Sequence, residues 1–273
     1  MTSPSKDDYL EKNASQNPAI ELLCAMSPER IPDGGYVYIS PEECAKQRGG
    51  AYNVILKDIL RGQLRKINRY SYCGAENEFS AANIERAIDD LDVSLSDGLI
   101  TASEKIYDKL LLGESYPEIV GEGDIIQNFN LNYIDWDNPR NNVLHVTREF
   151  FVESQDKMHN ARPDIVLFIN GIPFAIIECK APTESVDAAV NQNWRNQQNE
   201  YIPQLFKFSQ IIIATNKNEV KYATTKTPPK FWSVWKEDSD FYEQRLDRFI
   251  TDRMETVQDM ALISLLYPNR VYD

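Results

Sequence analysis

The middle of the chain carries two apolar runs joined by an Asn-Gly dipeptide, in the stretch Arg162-Pro163-Asp164-Ile165-Val166-Leu167-Phe168-Ile169-Asn170-Gly171-Ile172-Pro173-Phe174-Ala175-Ile176-Ile177-Glu178-Cys179-Lys180. Asn-Gly between apolar runs is the strongest short-range signal for a β-hairpin. Folding at this turn brings Asp164, before the first strand, close to Glu178 and Lys180, at the end of the second. Because Glu178 and Lys180 are two residues apart, they project from the same face of their strand.

The length of the turn determines whether the two acidic side chains share a face. A strict two-residue loop pairs Asp164 with Ile177 and turns Glu178 to the opposite face. A three-residue loop, with Gly171 in a left-handed bulge, pairs Asp164 with Ile176 and places both carboxylates on one face. If the two acids act together, the sequence therefore predicts the bulged loop.

An aspartate, a glutamate and a lysine in this arrangement suit metal-dependent hydrolysis of a phosphodiester bond. Mg²⁺ prefers oxygen ligands and keeps several waters, so we expect Asp164 and Glu178 to bind it, with the backbone carbonyl of Cys179 as a further ligand. The ion would activate a water and neutralise charge on the phosphate. Lys180 would orient or help deprotonate that water, or stabilise the transition state. The alternative is a buried hairpin with a surface Glu–Lys pair, which leaves the acid at each inner end unexplained.

The remaining hydrophobic patterns predict an α/β fold, with a mixed β-sheet core flanked by helices and a mainly helical N-terminal region. Helices are predicted at 52–67, 80–91, 103–112, 185–205 and 240–266, and strands at 125–134, 143–153, 164–169, 172–179, 210–215 and 220–224. We therefore expect a helical region at 1–120 packed on a core domain at 121–236, followed by a C-terminal helix at 237–273.

Composition restricts the classes of function. The 273 residues have a formal net charge of −13, which excludes a protein that coats DNA with its whole surface. One segment, 203–236, is locally basic, with six lysines against the single acid Glu219. This segment indicates either a solvated surface or a local DNA contact. The four cysteines form no C-x-x-C pair, and no signal peptide or membrane span is evident, so a cytoplasmic location is expected.

Several blocks of this sequence resemble a known family of nucleases. Arg162-Pro163-Asp164, Asn170-Gly171-Ile172-Pro173 and Glu178-Cys179-Lys180 are similar to the PD-(D/E)xK superfamily. Further blocks at 79–88, 134–142 and 201–206 resemble the N-terminal nuclease domain of the restriction (motor) subunit of type I restriction enzymes. The resemblance covers roughly residues 50–236 and implies a restriction-endonuclease-like fold.

The resemblance also implies roles for residues outside the hairpin. Gln197 and Tyr201 match a Gln-x-x-x-Tyr motif of such domains, and on a continuous helix they would share one face. They would position the catalytic lysine or contact DNA. Similar nucleases carry another acidic residue on an early helix. Glu78 and Glu85 are the candidates here, but the sequence does not select between them.

The function implied is that of a Mg²⁺-dependent endonuclease domain, part of a type I site-specific deoxyribonuclease. It would cut double-stranded DNA within a complex that also contains methyltransferase and specificity subunits. The sequence has no G-x-x-x-x-G-K-[ST] motif, so we expect ATP to be used only in motor domains outside this chain. Two alternatives stay open: a catalytically silent docking or regulatory domain with the same fold, and a free-standing DNA repair nuclease.

Overall fold

A seven-stranded mixed sheet forms the centre of the structure, a computed structural model that describes residues 11–31, 34–121, 125–237 and 239–272. The strands are β1 (Tyr36–Tyr38), β2 (Tyr70–Tyr72), β3 (Ala75–Asn77), β4 (Glu114–Val120), β5 (Ile125–Leu131), β6 (Leu144–Arg148), β7 (Ile165–Ile169), β8 (Ile172–Cys179), β9 (Ile211–Thr215), β10 (Val220–Ala223) and β11 (Ser233–Val234). The order in the sheet is β1-β6-β7-β8-β9-β10-β11. The β2–β3 and β4–β5 pairs are separate two-stranded sheets.

Helices flank the sheet and complete the predicted α/β fold class, which the structure confirms. They are α1 (Asn17–Ala25), α2 (Pro41–Arg48), α3 (Lys57–Ile67), α4 (Ala81–Asp90), α5 (Leu99–Leu112), α6 (Val186–Asn196), α7 (Pro203–Phe206), α8 (Ser239–Phe249), α9 (Val257–Leu266) and α10 (Pro268–Val271). A π-helical turn, Lys12–Gln16, precedes α1. Within the residues described, no helix combines the length and apolar character needed to cross a bilayer. The proposed division at 120 and 236 stays a prediction.

The central hairpin is confirmed, but the predicted loop is wrong. Ile169 pairs with Ile172, so Asn170 and Gly171 form a strict two-residue turn, both with positive φ. This is the backbone of a type I′ turn. The extra residue lies inside β8 instead, because the register shifts between Leu167 and Phe168 and leaves Phe174 without a partner in β7. The backbone carbonyl of Phe174 accepts a hydrogen bond from the N–H of Gln210, before β9.

The bulge at Phe174 sets the geometry of the strand ends. Beyond the bulge, Ile165 pairs with Ile177, so continuing the ladder places Asp164 opposite Glu178. Residues directly opposite each other in an antiparallel pair project from the same face. The shared face that the sequence required is therefore present, produced by a bulge in the strand rather than by a longer turn.

Helix boundaries differ from several predictions: α3 begins at Lys57 rather than Tyr52, and α5 begins at Leu99 rather than Ser103. The predicted helix at 185–205 ends at Asn196 and only resumes as the short α7. Ile202 precedes Pro203 and has φ −125°, since the proline ring disfavours helical backbone in the residue before it. The helix predicted at 240–266 is two helices, α8 and α9, and the second begins with a capping box from Thr256 and Asp259.

Gly171 at the hairpin turn lies close to the start of α3, and the fold is expected to require a glycine at this position. Its φ is +86°, and an added Cβ would lie 2.6 Å from the carbonyl oxygen of Leu56. Gly171→Ala is therefore expected to lower the free energy of unfolding by about 2 kcal/mol or more. The matched control is Gly62→Ala in α3, where no atom lies within 4 Å. That change should add up to about 1 kcal/mol. Urea unfolding of both variants measures the difference, and equal effects would contradict the requirement.

Candidate active site

The candidate site lies where β7 begins and β8 ends. The Asp164 carboxylate accepts a hydrogen bond of 2.7 Å from the backbone N–H of Cys179, which ties the two strands together. Glu178 lies opposite on the same face and is 1% exposed, while Asp164 is 7% exposed. Parallel pairing of Cys179 with Thr215 of β9 supports the end of β8 from its other side. The fold therefore holds two carboxylates side by side in a nearly water-free position.

Lys180 lies among these acids. Its ammonium Nζ is 3.4 Å from Glu178 Oε1 and 2.9 Å from the backbone carbonyl oxygen of Cys179. It is also 3.4 Å from the carboxylate of Glu11, which immediately precedes the N-terminal π-helical turn. The backbone N–H of Lys180 donates to the Thr215 carbonyl, so the residue is fixed in the sheet. The structure thus brings together Asp164, Glu178, the Cys179 carbonyl and Lys180.

Among the N-terminal residues that the structure describes, Glu11 is an acidic residue that reaches this site. The two residues considered from the sequence lie elsewhere: Glu78 pairs with Arg69, and Glu85 pairs with Arg61. Gln16 follows Glu11 in the same segment, and its amide donates to the Asp164 carbonyl oxygen at 3.2 Å. The contact between Glu11 and Lys180 spans 169 positions in the chain, so no local sequence pattern indicates it.

Gln192 on α6 is a second residue that sequence reasoning missed. Its side-chain amide Nε2 donates a hydrogen bond to Glu178 Oε1. The other carboxylate oxygen, Glu178 Oε2, is buried and has no hydrogen-bond partner within the described residues. One oxygen of Glu178 is therefore oriented by the protein, and the other is left available to a ligand.

The two carboxyl groups have raised pKa values because they are buried together. Burial raises the pKa of Asp164 from an ordinary 3.8 to about 7, although the Cys179 N–H and Lys180 act in the opposite direction. Burial, and then the proximity of Asp164, raises the pKa of Glu178 well above its usual range. The Asp164 carboxylate thus favours the protonated form of Glu178, as expected where two acids share a site.

Lys180 partly compensates this accumulation of negative charge. Burial lowers the pKa of Lys180, but Glu178, Asp164 and Glu11 raise it by more, so the pKa lies above its ordinary value. The lysine is therefore an ammonium ion at neutral pH. A charged Lys180 can stabilise developing negative charge, whereas a role as a proton acceptor would need a neutral amine.

Gln197 and Tyr201 do not share a helix face, because α6 ends at Asn196. The buried Gln197 side chain donates to the Asn193 carbonyl oxygen at 3.1 Å and accepts from the backbone N–H of Lys226 at 2.6 Å. The Tyr201 ring lies between two other groups, with its centroid 5.1 Å from the Arg195 guanidinium carbon and 5.3 Å from the His159 ring. Across the described ranges, neither side chain hydrogen bonds to Asp164, Glu178 or Lys180. Their predicted contribution to catalysis stays a prediction.

The ligands available for a metal are few and are oxygen atoms. In the part of the chain that the structure describes, no group of three or more His, Cys, Asp or Glu side chains could enclose an ion. Asp164 and Glu178 supply two carboxylates, and the Cys179 carbonyl lies close enough to contact Lys180. A site with two carboxylates and one carbonyl suits a hard cation that keeps several waters, as Mg²⁺ does.

The lysines of segment 203–236 have different surroundings. Lys207 is 3% exposed and paired with Asp92 at 2.6 Å, which makes it a structural residue. Lys221 pairs with Asp187 at 2.5 Å. Lys226 and Lys230 instead lie over aromatic rings, those of Trp194 and Phe231. Only part of the segment is therefore a surface suited to anions.

The family model and the relatives that match this chain all concern type I restriction enzymes. Residues 8–231 match the sequence model of a family described as the type I restriction enzyme R protein N terminus. Two relatives from Methanocaldococcus jannaschii bear the names of endonuclease subunits of the type I restriction enzymes MjaIXP and MjaVIIIP. They are 27% identical over 84% of this chain and 30% identical over 70% of it. The type I restriction enzyme EcoprrI endonuclease subunit of Escherichia coli is 26% identical over 62% of the chain.

The chain matches only part of the length of each of these relatives. The matched part covers 21% and 18% of the two archaeal proteins and 49% of the Escherichia coli protein. The match therefore concerns one region of proteins that contain more.

Proposed function

Because the chain belongs to the family of type I restriction enzyme R protein N termini, we propose that it is a Mg²⁺-dependent endonuclease domain that hydrolyses phosphodiester bonds of double-stranded DNA. The observation that carries this proposal is the placement of Asp164 opposite Glu178, with the Lys180 ammonium 3.4 Å from the Glu178 carboxylate. These three residues, the catalytic set expected from the sequence, converge on one buried face.

The residues fit a divalent cation. Two adjacent buried carboxylates with raised pKa values need a positive partner to ionise together. Glu178 Oε2 is a buried acceptor without a hydrogen-bond donor in the described structure. Asp164, Glu178 and the Cys179 carbonyl would hold Mg²⁺. When bound, the ion supplies charge neutralisation and Lewis-acid polarisation of phosphoryl oxygens.

The protein's own groups supply orientation and charge. The Cys179 N–H fixes Asp164, and the Gln192 amide fixes one oxygen of Glu178. The Lys180 ammonium would stabilise the negative charge that builds on the phosphoryl oxygens in the transition state. Its side chain is only 12% exposed, so this charge acts in a medium of low dielectric constant, where it has a larger effect than in water.

Recognition of DNA is proposed to involve more than this chain. With a net charge of −13, the domain suits delivery to DNA by methyltransferase and specificity subunits that recognise the restriction site. ATP-driven movement along DNA is proposed to come from other domains, because the sequence has no P-loop.

Metal dependence provides the test of this function. Mg²⁺ is expected to stabilise the 273-residue chain at pH 8, by about 1.4 to 2.7 kcal/mol at ten to a hundred times its Kd. Glu178→Gln should remove this effect, whereas Glu43→Gln, at a partly exposed residue of α2 that pairs with Lys46, should retain it. Thermal unfolding with and without Mg²⁺ gives the comparison. In parallel, the full-length protein in its complex should cleave duplex DNA with Mg²⁺ and stop in the presence of a chelator. Equal stabilisation of both variants, or cleavage in chelator, would refute the proposal.

A further inference from the structure

The C-terminal half of α6 carries two cation–aromatic pairs on adjacent residues. The Arg195 guanidinium carbon lies 5.1 Å from the centroid of the Tyr201 ring. The Lys226 ammonium lies 5.6 Å from the centroid of the Trp194 ring. We call Trp194, Arg195, Tyr201 and Lys226 the α6 cation–aromatic surface. Arginine or lysine combined with aromatic rings is the side-chain composition of nucleic-acid contact surfaces.

This surface is linked directly to the candidate active site. Gln192, which hydrogen bonds to Glu178, lies three residues before Arg195 on the same helix. Residues three apart are neighbours on a helix surface and are separated by about 4.5 Å along the axis. One DNA strand advances about 3.4 Å per nucleotide along its axis. Arg195 is thus about one nucleotide step from the residue that orients Glu178.

The position of Lys226 is built into the fold. Lys226 has φ +61°, a left-handed conformation that is unfavourable for a lysine. The buried amide of Gln197 holds this conformation by accepting the Lys226 N–H at 2.6 Å. The neighbouring Thr225 hydroxyl donates to the Phe206 carbonyl oxygen at 2.8 Å. These contacts fix the backbone from which the Lys226 side chain extends.

The acidic residues near this surface do not form ion pairs with Arg195 or Lys226 in the described structure. Lys221, on the same side of α6, is neutralised by Asp187. His159, against Tyr201, is paired with Asp156 at 3.1 Å. Glu200 is exposed and acts on Lys226 only through space. Arg195 and Lys226 form no ion pair at 4 Å or less within the described residues.

From these observations we propose that the α6 cation–aromatic surface binds the phosphate backbone of duplex DNA next to the scissile phosphate, with Arg195 and Lys226 as the phosphate contacts. Gln197 and Tyr201 act as positioning residues, Gln197 on the backbone of Lys226 and Tyr201 on the guanidinium of Arg195. The inference rests on the proposed nuclease function and adds to it the path of the substrate strand.

Salt-dependent DNA binding by the 273-residue chain tests this proposal. A fluorescently labelled duplex is titrated in EDTA at several salt concentrations, so that cleavage does not interfere. The double variant Arg195→Gln/Lys226→Gln should reduce the slope of log K against log salt by about 2 and weaken binding roughly 10-fold or more. The matched control is Arg86→Gln/Lys105→Gln, which removes the same charge. Arg86 also lies over a tyrosine, 5.7 Å from the Tyr116 ring centroid.

Two more variants separate binding from folding. Lys226→Gly should bind as weakly as Lys226→Gln but unfold no more easily, because glycine accepts a positive φ without strain. Lys226→Arg should keep the full salt slope. An unchanged slope in the double variant, an equal loss in the control, or no salt-dependent binding by the unaltered chain would each overturn the inference.

Failure of the proposed DNA-binding surface can be distinguished from failure of the proposed nuclease function. DNA binding that depends on Arg195 and Lys226 in a protein that never cleaves would refute the nuclease proposal alone. Cleavage with an unchanged salt slope in the double variant would refute the surface alone.

Discussion

Replacing Lys180 with alanine is expected to lower the rate of DNA cleavage by about 10³-fold or more, the effect of removing a cation that stabilises a phosphoryl transition state. Lys180 is the positive side chain seen in contact with Glu178 and Glu11 in the described structure. Its loss removes charge stabilisation and leaves the acids to repel each other. The measurement is single-turnover cleavage by the full-length protein in its complex.

The conservative variant Lys180→Arg shows which role the lysine has. Glu178, Asp164 and Glu11 raise the pKa of Lys180, so it is charged at neutral pH. Arginine is always charged and cannot accept a proton, so Lys180→Arg should retain part of the activity if charge is what matters. Lys105→Ala, an exposed lysine on α5 paired with Asp97, should cleave normally. Full cleavage by Lys180→Ala would refute the role of Lys180 in catalysis.

The hairpin shows how far sequence reasoning extends. The bounds of β8 were predicted correctly, because an uninterrupted apolar run beside Asn-Gly has few other solutions. The predicted register, in which Asp164 pairs with Ile176, is wrong. The observed register depends on the bulge at Phe174, whose carbonyl bonds to Gln210 on a distant part of the chain. The sequence of the hairpin alone therefore does not reveal how β9 pairs with β8.

The helix after the hairpin shows the same limit in another form. Pro203 was an available signal that no helix would run through Ile202, since proline disfavours helical backbone in the residue before it, but it does not account for the end of α6 at Asn196. The break moves Tyr201 off the helix and leaves Gln192, rather than Gln197, facing the acids. The choice between two glutamines depends on how α6 is rotated against the sheet. Glu11 likewise reaches Lys180 through tertiary packing alone.

The Asp164 carboxyl is expected to make the metal-free chain less stable as pH rises from about 4 to about 7, and Asp164→Asn should remove this contribution while leaving that of Glu178, whose pKa is also raised. A carboxyl whose pKa is raised on folding stabilises the protein below its unfolded pKa, and this contribution is lost as pH rises through the folded pKa. For Asp164 the two values are 3.8 and about 7. The difference corresponds to about 4 kcal/mol, at about 1.4 kcal/mol per pKa unit. The asparagine can still accept the Cys179 N–H, so the native contact is kept.

His145 also makes the stability depend on pH, so the effect of Asp164 has to be measured as a difference between the unaltered chain and the Asp164→Asn variant. Burial lowers the pKa of His145, so its contribution has the opposite sign and is lost as pH falls. Subtracting the unfolding free energy of Asp164→Asn from that of the unaltered chain, at each pH in EDTA, cancels this term. Asp97→Asn, at an exposed residue, serves as the control. Lys105 lowers the pKa of Asp97, so the stability that Asp97 contributes is lost only as the pH drops below about 4. A difference for Asp164→Asn that stays constant from pH 4 to 8 would mean that this carboxyl is ionised in the folded protein throughout. Burial would then not suppress the ionisation of Asp164, and the two carboxylates would not need a cation to ionise together.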